Sequence, residues 1–154
     1  MWASAITAYF HYLGFMLAFG ALTVELFNFK QEMTLNEAKR VAFADAAYGI
    51  AATGILITGI LRVIYFGKGS DYYLSNPFFY AKIGVFILVS LLSLYPTFTF
   101  ITWTKSLQRG ETPQLEIGKV NLISWLIKGE LICFTLLPLF AALMARMSGW
   151  SGQI

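Results

Sequence analysis

The chain has 154 residues, of which 58% are hydrophobic and only 12% are charged. A soluble domain carries about 25% charged residues, so this composition, with a mean hydropathy of +0.67, excludes an ordinary soluble protein and indicates a polytopic membrane protein. The net charge of +3 is spread among the connections and excludes the basic stripe of a nucleic-acid-binding protein, while a lone cysteine, Cys133, excludes an intrachain disulfide or a Cys-built metal centre.

The first predicted helix, residues 2–29, is apolar over more than the roughly 20 residues that cross a bilayer core. It lacks the positive leading region of a cleavable signal peptide and its apolar stretch is too long for one, so it is expected to be a membrane span. It carries His11, the chain's one histidine, and Glu25. Residues seven apart return to nearly the same helical face, so His11, Ala18 and Glu25 form one stripe. A charge pointed at lipid near the middle of a span costs at least about 2.5 kcal/mol. The stripe is therefore expected to face the bundle interior, with Gly14 and Gly20 nearby to allow close approach.

The connection that follows contains Thr34-Leu-Asn-Glu37, a capping-box pattern that predicts a second helix over residues 35–66. Asp45, Ala52 and Gly59 share one face of it, and Arg62 lies near its far end. Residues 67–77 are expected to form a turn, with Gly67 or Gly69 ending the second helix in a left-handed conformation. Asn76 followed by Pro77 is an N-cap with proline at the first helical position. A third helix is predicted over 77–104, with Lys82 a turn or so inside it and Pro96 as an internal kink, and Thr97, Thr99 and Thr102 nearby to satisfy freed carbonyls. Gly110 suits a helix stop. Thr112-Pro113 repeats the cap-then-proline pattern and predicts a fourth helix over 113–147, with Lys128, Glu130 and Pro138 inside it and a short tail from Gly149 to Ile154.

The expected fold is all-α: one domain over residues 1–154, an integral membrane antiparallel four-helix bundle embedded in a lipid bilayer. Four spans put both termini on one side. The connections on the other side carry Lys30, Lys39, Arg40, Lys105, Arg109 and Lys119, against Lys68 with Arg62, Lys82 and Arg146 at helix ends on the terminal side, so both termini are expected to be non-cytoplasmic.

Two groups of polar residues carry candidate chemistry. At the terminal side, His11, Arg62, Lys82 and Arg146 are expected to converge into an imidazole ringed by cations, a site suited to an anionic ligand such as a haem b, with His11 on the iron and Arg62, Lys82 or Arg146 on the propionates. A second axial ligand would be Lys82, Met16, Met144, a water or His11 of another copy. The competing reading is that the cations snorkel to headgroups, that the histidine bonds a neighbouring helix, and that no cofactor is held. In the other half, Glu25, Asp45, Lys128 and Glu130 form an expected intramembrane charge network. Glu25 or Glu130 would pair with Lys128, and Asp45 with Arg40 or Lys128, either to fix helix register or, with His11, to relay protons. There is no Walker loop, dinucleotide fingerprint or His-Glu-x-x-His motif.

The ordered set Phe10-His11-Tyr12-Leu13, Val24-Glu25-Leu26, Ala44-Asp45-Ala46-Ala47-Tyr48-Gly49, the run from Gly59 through Arg62 to Gly69, Tyr72 to Lys82, and Ser93-Leu94-Tyr95-Pro96-Thr97 resembles the bacterial membrane family of domain of unknown function 2214. That resemblance implies four membrane helices and brings no activity with it. More distantly, the layout is similar to haem-dependent membrane protoporphyrinogen oxidases and copper-resistance D membrane proteins. The oxidases place a haem-binding histidine in the first helix and a lysine in an Ala-Lys-Leu context at the start of the third, which His11 and Ala81-Lys82-Ile83 match. Their second histidine after helix one is absent here, so the resemblance implies haem binding rather than the oxidase reaction. The readings that follow are a b-type haem or tetrapyrrole redox protein of a bacterial inner or thylakoid-type membrane, a non-enzymatic accessory or assembly subunit of a larger bioenergetic complex or a homo-oligomer, and, third, a proton-coupled transporter using Glu25, Asp45 and Glu130.

Overall fold

The computed structural model describes residues 2–147; the expected tail beyond Gly149 lies outside them. Its helices are α1 (Trp2–Asn28), α2 (Leu35–Leu61), α3 (Ser70–Leu74), α4 (Pro77–Gln108) and α5 (Ile117–Met147), and α2 continues through one π-helical segment, Arg62–Phe66. Four spans, counting α2 with its π segment, are long and apolar enough to cross a membrane. The protein is a four-helix membrane bundle. α1 packs on α2 and α4 on α5, and contacts of α2 with α4 and of α1 with α5 close the ring.

Local chemistry sets the ends. Thr34 accepts from the Glu37 amide and Glu37 reaches back to the Thr34 amide, the full reciprocal cap expected from the sequence. Asn76 accepts from the Phe78 amide with Pro77 at the first helical position. Gly110, at φ 79°, terminates α4. Between α2 and α4 the chain is not a plain turn: it holds the short helix α3, whose Tyr73 hydroxyl sits where a Cβ at Gly67 would fall. Gly69, at φ 93°, takes the positive-φ conformation; Gly67 does not.

Two boundaries differ from the sequence reading. α4 runs to Gln108 rather than 104, and α5 starts at Ile117 rather than 113. Thr112-Pro113 therefore caps nothing. Leu115 in this connection packs onto the apolar cluster at that end of the bundle, and the helical ladder begins with Val120 bonding back to Glu116.

The buried residues fall into layers along the bundle axis. At the end bearing the α1–α2 and α4–α5 connections, Phe29, Val41, Phe100, Trp103, Ile123 and Ile127 form one apolar layer, with the Phe29 and Trp103 rings stacked 6.3 Å apart. Further along, Ala18, Leu22, Tyr48, Ile55, Val89, Phe134 and Leu137 form a second. Beyond this second layer, toward the terminal end, α4 buries no residue before Val89 and α5 none among its described residues after Leu137. At the terminal end α4 and α5 still meet, with the Phe78 and Phe140 rings stacked 6.4 Å apart and Tyr72 and Asn76 donating to the Met144 carbonyl, while the half that holds the buried acids is sealed by an apolar layer on either side of them.

Candidate functional site

The terminal-side site is built on α1 and the end of α2. His11 faces inward at 8% exposure, on the same buried stripe as Ala18 and Glu25, as the seven-residue spacing requires. Its Nδ1 lies 3.0 Å from the Thr58 hydroxyl. Thr58 spends its own proton on the Gly54 carbonyl at 2.6 Å. A hydroxyl has one proton to donate, so the Thr58 oxygen accepts and His11 Nδ1–H donates. This fixes the imidazole tautomer and leaves Nε2 with its lone pair. The ring lies beside Gly59, where a Cβ would stand in ordinary contact, 3.4 Å from His11 Cε1.

The charges of Lys82, from α4, and Arg62, at the start of the π segment, both act on the ring. Arg62 also sits 5.3 Å from the Tyr12 ring centre. His11 therefore lies within electrostatic reach of both Arg62 and Lys82. Arg146 does not join them; it is exposed on the last turn of α5. Met16 is exposed on the outer face of α1, turned away from the site, whereas Met144 is half-buried and its carbonyl accepts from Tyr72 and Asn76.

Between the two apolar layers lies the second polar group. Glu25 from α1 and Glu130 from α5 are each 1% exposed, and Asp45 from α2 is buried beside them. Asp45 and Glu130 act electrostatically on Glu25, and Asp45 on Glu130. Thr97, from α4, donates to Asp45 Oδ1 at 2.6 Å. Glu25 Oε1 and both Glu130 oxygens have no hydrogen-bond partner. The Tyr48 hydroxyl lies near Glu130 and Ser93 without completing a bond to either carboxylate oxygen.

The expected cationic partner of this group is absent. Lys128 is exposed on the outer face of α5, its ammonium 5.4 Å from the Trp125 ring centre. The helical geometry explains the correction: two residues before the inward Glu130, a side chain points nearly the opposite way. Asp45 pairs with neither Arg40 nor Lys128; among the described residues the ion pairs are Lys30–Glu37 and Arg109–Glu111, both in the connections. Thr58, Tyr48 and Thr97 were not singled out as site residues. Thr58 stands one turn before Arg62, a spacing that could have pointed to it. Thr97 was assigned to a freed backbone carbonyl instead of a side chain.

The donor sets differ in what they can hold. Among the described residues no group of three or more His, Cys, Asp or Glu side chains is placed to hold a metal ion. One oriented imidazole suits a metal that brings its own equatorial ligands, and two neighbouring cations suit an anion attached to it.

A family model described as "Predicted membrane protein (DUF2214)" matches residues 3–149. No curated protein matches the chain, and no solved structure does.

Proposed function

The chain belongs to the DUF2214 family of predicted membrane proteins, and from that premise we propose that it binds a b-type haem or related tetrapyrrole at the His11 end of the bundle and handles electrons there. The observation that carries this reading is an inward imidazole, its Nδ1 tied to Thr58, within electrostatic reach of Lys82 and Arg62. The residues fit such a group. His11 Nε2 would donate to its metal, and Lys82 and Arg62, whose charges act on the ring, would meet its carboxylates. The bound group would supply one-electron chemistry. The chain's part is to orient it through Thr58 and Gly59, to neutralise its carboxylates, and to wall it from the sealed half with the layer containing Phe134 and Leu137.

The excess of Lys and Arg at the opposite connections supports a non-cytoplasmic position for this site. The experiment is the absorption spectrum of the protein purified from membranes in mild detergent. A Soret band that His11→Ala abolishes is expected. A colourless, folded wild-type protein from haem-replete cells would overturn the reading.

A further inference from the structure

The carboxyl layer in the sealed half is unexplained by a ligand at His11. Apolar side chains cover it toward both ends, with Phe29, Phe100 and Ile127 on one side and Leu22, Val89 and Phe134 on the other. The groups facing it are Glu25 from α1, Asp45 and Tyr48 from α2, and Glu130 from α5; α4 contributes the hydroxyls of Thr97 and Ser93 and no charge. No cation faces it from any of the four helices, since Lys128 points outward.

Three negative charges cannot share such a place. Burying a carboxylate that accepts no hydrogen bond is strongly unfavourable, and neighbouring carboxylates oppose one another's ionisation. Nor does a metal ion resolve the imbalance, because among the described residues the side chains are not placed to coordinate one. Protons do resolve it, since each can reside on a separate carboxyl.

The hydrogen bonds distribute them. Asp45 receives the Thr97 hydroxyl at 2.6 Å, the arrangement that stabilises a negative charge. Glu25 and Glu130 have three oxygens with no partner, which is tolerable for a neutral acid and not for an anion. We propose that Glu25, Asp45 and Glu130 form an exchangeable proton-binding site that holds protons on Glu25 and Glu130 and one negative charge on Asp45. The site stands apart from the haem reading: it requires no chromophore, and its test reads none.

The test is infrared spectroscopy of the purified full-length protein at neutral pH in H2O and D2O. Wild type should show the carbonyl stretch of protonated carboxyls, shifted by deuterium. Glu25→Gln and Glu130→Gln should each remove one component, and Asp45→Asn should remove none. Gln reproduces the shape and neutrality of a protonated Glu, so both variants should fold with wild-type helix content. A folded wild-type protein without protonated-carboxyl absorption would overturn the proposal. So would a band that survives both Glu→Gln changes, one that never shifts in D2O, or failure of both Gln variants to fold.

Discussion

The Thr97 hydroxyl reaches across from α4 to Asp45 on α2 and donates to it at 2.6 Å, joining the two helical hairpins inside the apolar bundle. A hydrogen bond to a charged, buried acceptor is worth more than a neutral one, and removing the donor leaves the carboxyl's remaining burial uncompensated. Thr97→Val, which keeps the side-chain shape, should therefore cost about 1–3 kcal/mol. Thr97→Ser should recover most of it. Unfolding in detergent measures both, and a Thr97→Val protein as stable as wild type would show that the bond contributes nothing.

The α1–α2 contact makes a contrasting pair of predictions. A Cβ at Gly14 would stand 3.0 Å from Ile55 Cγ1 and 3.4 Å from the Ala51 carbonyl oxygen, whereas one at Gly20 would meet nothing within 4 Å. Gly14→Ala should be destabilising by about 1–3 kcal/mol through overpacking. Gly20→Ala should be neutral or stabilising by up to about 1 kcal/mol through helix propensity. Thermal unfolding of the two single variants checks the ordering; equal effects would refute it.

At the His11 site, Thr58→Val removes the acceptor for Nδ1–H while leaving the imidazole in place. Loss of such an orienting partner costs roughly 10- to 100-fold in metal-ligand affinity. Haem retention through dilution should weaken by that factor in Thr58→Val, whereas His11→Ala should abolish it. Retention identical to wild type would remove Thr58 from the site.

The α2 cap offers a stability test outside the bundle core. Thr34→Ala removes the side-chain half of the reciprocal cap and should cost about 1 kcal/mol. Lys30→Ala removes the 2.7 Å pair with Glu37, which is exposed to solvent on the lysine side and should contribute no more than about 1 kcal/mol, less at high salt. A larger loss for Lys30→Ala than for Thr34→Ala would reverse this ranking.

The bundle was legible because its signals are local. The seven-residue stripe His11, Ala18, Glu25 states which face of α1 turns inward, and Thr34–Glu37 and Asn76–Pro77 mark where helices begin. Depth along the helices also suggested grouping His11, Arg62, Lys82 and Arg146; the charges of Lys82 and Arg62 act on the His11 ring, while Arg146 is exposed. What was not legible depended on rotation and on contacts between helices. Lys128 was expected among the acids by its depth, although its two-residue spacing from Glu130 already turned it to nearly the opposite face, where it lies exposed. Thr97 was assigned to the backbone because the pairing of α2 with α4 that gives it Asp45 leaves no local mark. The cap-then-proline pattern Thr112-Pro113 likewise marked a start that the helix does not use, α5 beginning at Ile117.

The outward Lys128, lying over exposed Trp125, has a consequence for how the molecule rides in lipid. An ammonium on that face must reach upward to headgroups, with the indole beside it at the same level. From Lys128 to Arg146 the helix rises about 27 Å, close to the hydrocarbon thickness of roughly 30 Å. These two cations thus stand about one hydrocarbon thickness apart along α5. Chain-length variation in the surrounding lipids should be felt first at this flank, where a thicker bilayer would drag the lysine below its anchoring plane.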